Sequence, residues 1–272
     1  MQRLRWPQMT NLALLERAKS RAGLSDFGEW PFEQGFRKLL AAFAEEAELS
    51  PFGHLCTHWD IVRLLCNLLR LRHEELHHPN IPHQSVERPI FITGLPRSGT
   101  TFLHRLLALD TANQVPRVWQ TIYPYPDLTR PTGIDRRRQR VDRQLLFFSF
   151  LSPEFRRMHP IDADSPQECS EITSHVFTSL RFDTTYRVPS YRNWLDKNGH
   201  VDAYRFHKRF LQHLQYQAHR RVRWVLKCPD HIFALEAIRF VYPDARLVWR
   251  SELLYKMCQQ AVRGSPTTGR VR

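Results

Sequence analysis

Residues 89–107 read PIFITGLPRSGTTFLHRLL and carry the strongest structural signal in the sequence. The apolar run PIFIT predicts a buried strand, and FLHRLL continues as an amphipathic helix. Gly94 and Gly99 bound the loop between them and permit its turn and a close approach of backbone. In such a strand–loop–helix unit, the loop N–H groups and the helix N-terminus converge on one point that favours an anion. The stretch therefore predicts a phosphate-binding loop.

The side chains of this loop suit an anionic ligand but depart from nucleotide-hydrolysing sites. Arg97 supplies a fixed positive charge that can hold two phosphate oxygens, and Ser98, Thr100 and Thr101 add hydroxyl groups. The spacing G-x-x-x-x-G is shared with NTPase loops, yet Thr100 stands where those loops carry Lys. Since no acidic strand end is evident to hold magnesium, the sequence argues against ATP or GTP hydrolysis. A tight strand–helix turn with an incidental basic residue is the simpler alternative.

The rest of the chain predicts an α/β fold with a helical N-terminal segment. Residues 1–84 form that segment, and three amphipathic runs lie at 11–23, 31–50 and 59–76. Its last eight residues, HHPNIPHQ, predict a solvated linker, although their histidines also allow a metal site. Residues 85–250 alternate short strands with helices, at 136–151 (helix), 202–219 (helix, with Asp202 as N-cap), 221–227 (strand) and 245–249 (strand). The alternation predicts a P-loop-type parallel sheet flanked by helices.

Composition narrows the class of protein but not its ligand. The 272 residues carry a formal net charge of +13, which favours nucleic acid, acidic lipid headgroups or a phosphorylated cofactor. The five cysteines are scattered without a CxxC pair, so neither a disulfide framework nor a zinc site is indicated. The N-terminus lacks the apolar core of a signal peptide, and no apolar run reaches the ~20 residues that a membrane span needs. These features together predict a cytoplasmic protein.

The loop resembles that of the sulfotransferases that use 3′-phosphoadenosine 5′-phosphosulfate (PAPS), in their bacterial-type branch. GLPRSGTTFLHRLL is similar to the family's 5′-phosphosulfate loop, in which Pro, Arg or Lys, Ser, Gly, Thr and Thr follow one another. A second match, residues 222–250, resembles the family's L-K-x-P-x-H segment, its helix, and its Y-P-D-A-R strand ending in Arg. The resemblance covers residues 89–250 and implies a PAPS donor, no metal, and a hydroxyl acceptor.

The resemblance also implies roles for individual residues. Arg97, Ser98, Gly99, Thr100 and Thr101 would bind the 5′-phosphosulfate. By the same resemblance, Arg250 would bind the 3′-phosphate, and Lys227 would bind the sulfuryl or leaving oxygens. His231 is the leading candidate for the general base, because the pKa of histidine suits proton transfer near neutral pH.

Acidic alternatives for the base are weaker in the sequence. Relatives use a Glu beside a Trp shortly after the loop helix, whereas this chain has Trp119 followed by Gln120, which has no basic carboxylate. Asp164 and Glu168 are minor candidates near the acceptor side. A capping box from Ser165 to Glu168, with Pro at the first helical position, would account for Glu168 by structure alone.

The C-terminal residues depart from the family. Ser251 and Glu252 replace the Asp-Pro that follows the strand-end Arg, and Cys258 stands near the position of a Ser that binds the 3′-phosphate. Residues 251–272 carry no family pattern and predict a disordered tail, with the family's later helices lacking a counterpart. The sequence therefore predicts a truncated domain with weak or absent sulfuryl transfer.

Three other readings stay open beside a PAPS-dependent sulfotransferase. One is a truncated pseudoenzyme that keeps phosphate-ligand or partner binding, and another is a P-loop kinase or NTPase. A nucleic-acid-binding module rests on charge alone, and the aromatic residues near RRRQR (136–140) are not interleaved as in a stacking surface. The RRRQR run itself fits a solvated helix face, the cofactor's 3′-phosphate, an acidic acceptor or RNA. The acceptor could be a hydroxyl-bearing small molecule, a sugar or a lipid.

Overall fold

The computed structural model describes residues 10–95, 98–126, 135–151, 161–219 and 222–250. Four strands form one sheet in the order β2-β3-β1-β4: β1 (Ile90–Gly94), β2 (Asn113–Gln114), β3 (Arg223–Lys227) and β4 (Arg246–Arg250). Every strand pair is parallel. In this register Ile92 lies beside Lys227 on one side, and Gly94 lies beside Arg250 on the other. The carboxyl ends of β1, β3 and β4 therefore meet at one edge, as the α/β prediction requires.

The helices surround this sheet. In chain order they are α1 (Asn11–Ala22), α2 (Glu33–Glu45), α3 (Pro51–His77), α4 (Thr100–Leu107), α5 (Val118–Ile122), α6 (Arg137–Leu151), α7 (Cys169–Thr173), α8 (Arg181–Thr185), α9 (Pro189–Asn198), α10 (Val201–Ala218) and α11 (Leu235–Val241). Two 3₁₀ turns, Ser174–Val176 and Pro229–Ala234, complete the described elements. Within the described ranges, no helix has both the length and the apolar character to cross a membrane.

The three predicted N-terminal helices are present, with ends set by local chemistry. Gly23 ends α1 in the left-handed region, at φ 67°, as a C-cap glycine does. Helix α3 begins eight residues before the predicted apolar run, because Ser50 accepts a hydrogen bond from Gly53 and Pro51 occupies the first turn. In the part of the chain that the structure describes, no three His, Cys, Asp or Glu side chains gather as metal ligands would.

The N-terminal helices and the sheet share one hydrophobic core. Phe36 of α2 and Leu65 of α3 belong to the same buried cluster as Phe91 of β1 and Trp224 of β3. Burying side chains of this size contributes roughly 1.5–3 kcal/mol each, so the helical segment is part of what stabilises the sheet.

Two details of the sequence-based prediction are wrong. His200, not Asp202, is the N-cap of α10, and Asp202 lies in the first turn, where its carboxylate accepts a hydrogen bond from Arg205 at 2.9 Å. Strand β2 was not predicted, because its two residues, Asn113 and Gln114, are polar and too few to show a period.

Candidate active site

The loop between β1 and α4 turns where the backbone passes close to β4. A Cβ atom added to Gly94 would lie 2.3 Å from the backbone oxygen of Arg250, a distance that no side chain tolerates. Gly99 is the N-cap of α4 and adopts φ 82°, in the left-handed region that glycine reaches without strain. Thr100 and Thr101 then open the helix. Pro96 and Arg97 lie outside the described residues.

Unpaired polar groups collect at this loop. The Ser98 hydroxyl and the Nε atom of Arg250 are both buried and have no hydrogen-bond partner among the residues that the structure describes. The Arg250 guanidinium carbon lies 3.5 Å from the position that a Cβ on Gly99 would take. Because a buried unsatisfied polar group costs about 1–3 kcal/mol, these groups favour a ligand that would pair with them.

Lys227 ends β3 at the same edge and forms an ion pair with Glu168. The side chain of Lys227 is only 5% exposed, whereas that of Glu168 is 41% exposed. The carboxylate is therefore the end of the pair that solvent or a substrate reaches. The backbone N–H of the next residue, Cys228, donates to the Ile92 carbonyl at 3.3 Å and fixes the end of β3 against β1.

The predicted capping box around Glu168 is wrong. Helix α7 begins at Cys169 with Glu168 at its N-cap, and that carboxylate makes no capping bond. The Ser165 hydroxyl instead donates to the Asp162 carboxylate at 2.9 Å. Capping therefore does not explain why a Glu stands at position 168, and its contact with Lys227 does.

A buried charge network holds α7 in place. Glu171, one turn after Glu168, accepts a hydrogen bond from Arg63 of α3 at 2.7 Å. Arg63 also donates to Asp60 at 2.7 Å, and Arg181 donates to the same carboxylate at 2.8 Å. Burial by itself would raise the pKa of Asp60, but Arg181 and Arg63 outweigh it and lower that pKa to about 2. Asp60 therefore stays ionised at neutral pH, and the network fixes the helix that presents Glu168.

His231 lies in the core instead of at the cleft. Its side chain is fully buried, its Nδ1 atom lies 2.5 Å from the Tyr204 hydroxyl, and its ring packs edge-on against Phe91. Burial lowers its pKa well below the ordinary histidine range. The structure therefore brings Lys227, Ser98 and Arg250 to one edge of the sheet and leaves His231 behind it.

The loop after β1, Lys227 at the end of β3 and Arg250 at the end of β4 lie at the same edge of the sheet. Comparison with known proteins identifies the family. A family described as "Sulfotransferase family" matches residues 89–250, more than half of the chain. This chain belongs to the sulfotransferase family.

Individual relatives agree with that assignment. The omega-hydroxy-beta-dihydromenaquinone-9 sulfotransferases Stf3 of Mycobacterium bovis and Mycobacterium tuberculosis are each 27% identical over 172 residues, which is 59% of this chain and 40% of theirs. The chain thus spans well under two thirds of the length of these relatives. The crystal structure of sulfotransferase STF1 from M. tuberculosis H37Rv superposes with TM-score 0.80 at 31% identity, over 90% of this chain and 67% of that one. Sulfotransferase STF9 from Mycobacterium avium gives TM-score 0.78 at 26% identity, over 93% of this chain and 67% of that one.

The remaining acidic and amide side chains considered from the sequence, those of Asp164 and Gln120, are engaged elsewhere. Gln120 lies on α5 and its side-chain oxygen accepts a hydrogen bond from the Arg117 N–H at 3.0 Å. Asp164 forms an ion pair with Arg138 and contacts Arg117. Both side chains stabilise the packing of α5, and neither contacts Lys227.

Asp230 is a buried acidic residue close to Glu168 and Lys227 that the sequence-based prediction did not include. Burial raises its pKa to about 6, and the neighbouring charge of Glu168 adds to that effect. It follows β3 by three residues and lines a small cavity of about 20 Å³ with Tyr204 and Cys228. The signal was present as an Asp directly after the strand-end Lys-Cys-Pro, a position where side chains reach the carboxyl edge of a parallel sheet.

We expect Asp230→Asn to stabilise the protein above pH 6. An acid whose folded pKa is raised favours folding below its unfolded pKa of 3.8, and this contribution is lost as pH rises through about 6. Removing the charge should therefore raise the free energy of unfolding at pH 7.5 by about 3 kcal/mol and change it little at pH 4. Urea unfolding at both pH values measures this difference. An equal effect at both pH values would contradict the assignment of the proton to Asp230.

Proposed function

We propose that this chain binds PAPS and transfers its sulfuryl group to a hydroxyl acceptor at the edge where β1, β3 and β4 end. The observation that carries the proposal is the anion site at the loop. Ser98 and Arg250 present buried polar groups there that find no partner within the described ranges, and the backbone turns at Gly99 into the N-terminus of α4. Orphan N–H groups at a helix N-terminus, together with a guanidinium, fit a phosphate or sulfate.

The residues present fit the donor. We propose that the loop residues Arg97, Ser98, Gly99, Thr100 and Thr101 hold its 5′-phosphosulfate, and that Arg250 holds its 3′-phosphate. Bound PAPS would supply the activated sulfuryl group. The protein's own part is to orient it and to neutralise charge, for which fixed donors aimed at developing oxyanions suffice.

We further propose that Lys227 and Glu168 divide the work at the acceptor. Glu168 is the accessible member of the pair and would take the proton from the acceptor hydroxyl, in the general-base role. Lys227 would then place its ammonium against the sulfuryl oxygens as negative charge develops on them. His231 is better suited to a packing role, because it is fully buried against Phe91 and contacts the Tyr204 hydroxyl.

The acceptor is proposed to be a hydroxyl-bearing lipid, sugar or small molecule. The name of the Stf3 relatives denotes an omega-hydroxylated dihydromenaquinone, so hydroxylated lipids are the first class to test.

Titration calorimetry with adenosine 3′,5′-bisphosphate, the desulfated donor, tests donor binding directly. We expect saturable binding that survives EDTA, since Thr100 replaces the Lys of magnesium-dependent nucleotide loops. Binding without transfer to any alcohol would favour the pseudoenzyme that the departures after Arg250 suggest. Magnesium-dependent ATP turnover would favour the kinase or NTPase reading, and absence of binding would overturn the proposal.

Arg97→Ala should weaken the binding of adenosine 3′,5′-bisphosphate by roughly 1.5–3 kcal/mol, the range for a hydrogen bond to a charged group. Arg97 stands in GLPRSGTT, where a guanidinium can meet two oxygens of the same group. Calorimetry measures the change, and Arg205→Ala, which removes an exposed Arg from α10, is the matched control. An unchanged dissociation constant in Arg97→Ala would remove that residue from the site.

A further inference from the structure

Helix α6 carries one stripe of side chains that the proposed reaction does not use. Positions separated alternately by four and three residues lie on one face of a helix. The stripe consists of Arg136, which directly precedes the helix, and of Arg140, Arg143, Phe147 and Phe150. Charge and apolar character are thus separated along the helix, with arginines at its start and phenylalanines at its end.

The opposite face of α6 fixes the helix to the protein. Arg137 is buried and donates to the Tyr123 carbonyl at 3.1 Å and to the Gln217 side chain at 3.0 Å. Val141, one turn on, is buried in a small cluster that includes Val118 and Tyr123. Because this face is anchored, the stripe on the other side points outward.

The apolar end of the stripe is open to solvent. Phe147 is 66% exposed and Phe150 is 81% exposed, and Leu146 beside them is 61% exposed. Three large apolar side chains at neighbouring positions on one helix face form a patch, which soluble surfaces normally avoid.

The basic end of the stripe carries a net positive charge. Arg136 and Arg143 are exposed and pair with no carboxylate among the residues that the structure describes. The guanidinium of Arg140 lies over the Tyr123 ring, 4.2 Å from its centroid. These arginines add to a chain whose formal net charge is +13.

We propose that this stripe, residues 136–150, docks the protein on an anionic lipid bilayer. Surfaces that dock on bilayers insert apolar side chains at the boundary between headgroups and acyl chains, while basic side chains stay among anionic headgroups. The exposed phenylalanines and arginines of the stripe supply both kinds of side chain on one outward-facing surface.

Other partners fit this surface less well. A second copy would bring the same arginines against a molecule of the same positive charge, whereas an anionic bilayer complements them. RNA would pair with the arginines, but its stacking sites interleave aromatic and basic residues instead of separating them. Docking on lipid through this stripe requires neither donor binding nor sulfuryl transfer. The docking proposal and the proposed reaction can therefore be tested separately.

Co-sedimentation with vesicles tests the proposal. We expect the protein to bind vesicles that mix phosphatidylglycerol with phosphatidylcholine and to bind pure phosphatidylcholine at least about tenfold more weakly. The double variant Phe147→Ser with Phe150→Ser, and the double variant Arg136→Glu with Arg143→Glu, should each lose at least about tenfold in affinity for the mixed vesicles. Thermal melts of both variants confirm that they fold.

Matched controls distinguish binding through the α6 stripe from effects of net charge or of exposed apolar surface elsewhere. Arg17→Glu with Arg21→Glu makes the same charge change on α1, and Leu12→Ser removes an exposed apolar side chain from that helix. Both controls should bind mixed vesicles as the unchanged protein does. The proposal is overturned if vesicles of neither composition bind, if the phenylalanine variant binds fully, or if the α1 charge variant loses as much as the α6 one. The proposal is also overturned if the protein binds no vesicles but self-associates, and the phenylalanine variant abolishes that self-association.

Discussion

Glu168→Gln is expected to lower kcat for sulfuryl transfer by about 10²- to 10⁴-fold, the usual contribution of a positioned general base. The substitution keeps the shape of the side chain and removes its capacity to hold a proton. Binding of adenosine 3′,5′-bisphosphate should change little, because Ser98 and Arg250, which are proposed to meet that ligand, stay in place. Steady-state kinetics and calorimetry on the same preparation separate the two effects.

The ion pair with Lys227 makes a control necessary. In Glu168→Gln a buried ammonium loses its partner, which destabilises a protein by up to several kcal/mol and can mimic a catalytic loss. The double variant Glu168→Gln with Lys227→Met removes both charges and should recover stability in thermal melts without recovering transfer. If Glu168→Gln transfers sulfuryl groups at the unchanged rate, the proton goes elsewhere, and Asp230 becomes the next carboxylate to replace.

The sequence was sufficient for the fold because its loop motif has a specific structural meaning. Gly94 and Gly99 at that spacing, between an apolar run and an amphipathic run, define a strand–loop–helix unit, and a parallel sheet follows from strands that alternate with helices. The structure and the sulfotransferase relatives agree with that reading. The element that the sequence did not predict, β2, is short and polar, and its pairing with β3 depends on tertiary contacts.

The candidate site shows where sequence reasoning stops. Lys227 could be placed because the end of a parallel strand has a predictable location. His231 and Asp230 follow it in a 3₁₀ turn, where neighbouring side chains point about a third of a turn apart. One of them enters the core and the other lines a cavity, and no periodicity in so short a segment says which. The role of Glu168 was harder to predict because S-P-Q-E has the pattern of a capping box. In the structure the Ser165 hydroxyl donates to the Asp162 carboxylate instead of capping a helix.

Below pH 6 the protein is expected to unfold, because several histidines are buried in the uncharged state. Burial lowers the pKa of His104 to about 4 and the pKa values of His175 and His207 to about 3, and it lowers that of His231 well below the ordinary range. A group with a lowered folded pKa contributes stability that is present above its unfolded pKa of 6.5 and is lost as pH falls toward the folded value. At pH 5 each such histidine costs about 2 kcal/mol, or about 8 kcal/mol together, which is comparable to the whole stability of a typical domain.

Urea unfolding between pH 8 and pH 5 measures this loss as a slope of stability against pH. His207→Gln, which leaves a polar group near the Tyr242 hydroxyl, removes one of these protons and should flatten the slope even if it lowers stability at pH 8. His83→Gln, at an exposed position, should leave the slope unchanged. The slope is the informative quantity, because damage to packing lowers stability at every pH, whereas the loss of a titrating group changes its dependence on pH. A free energy of unfolding that stays constant from pH 7 to pH 5 would show that the native protein binds these protons without opening its core.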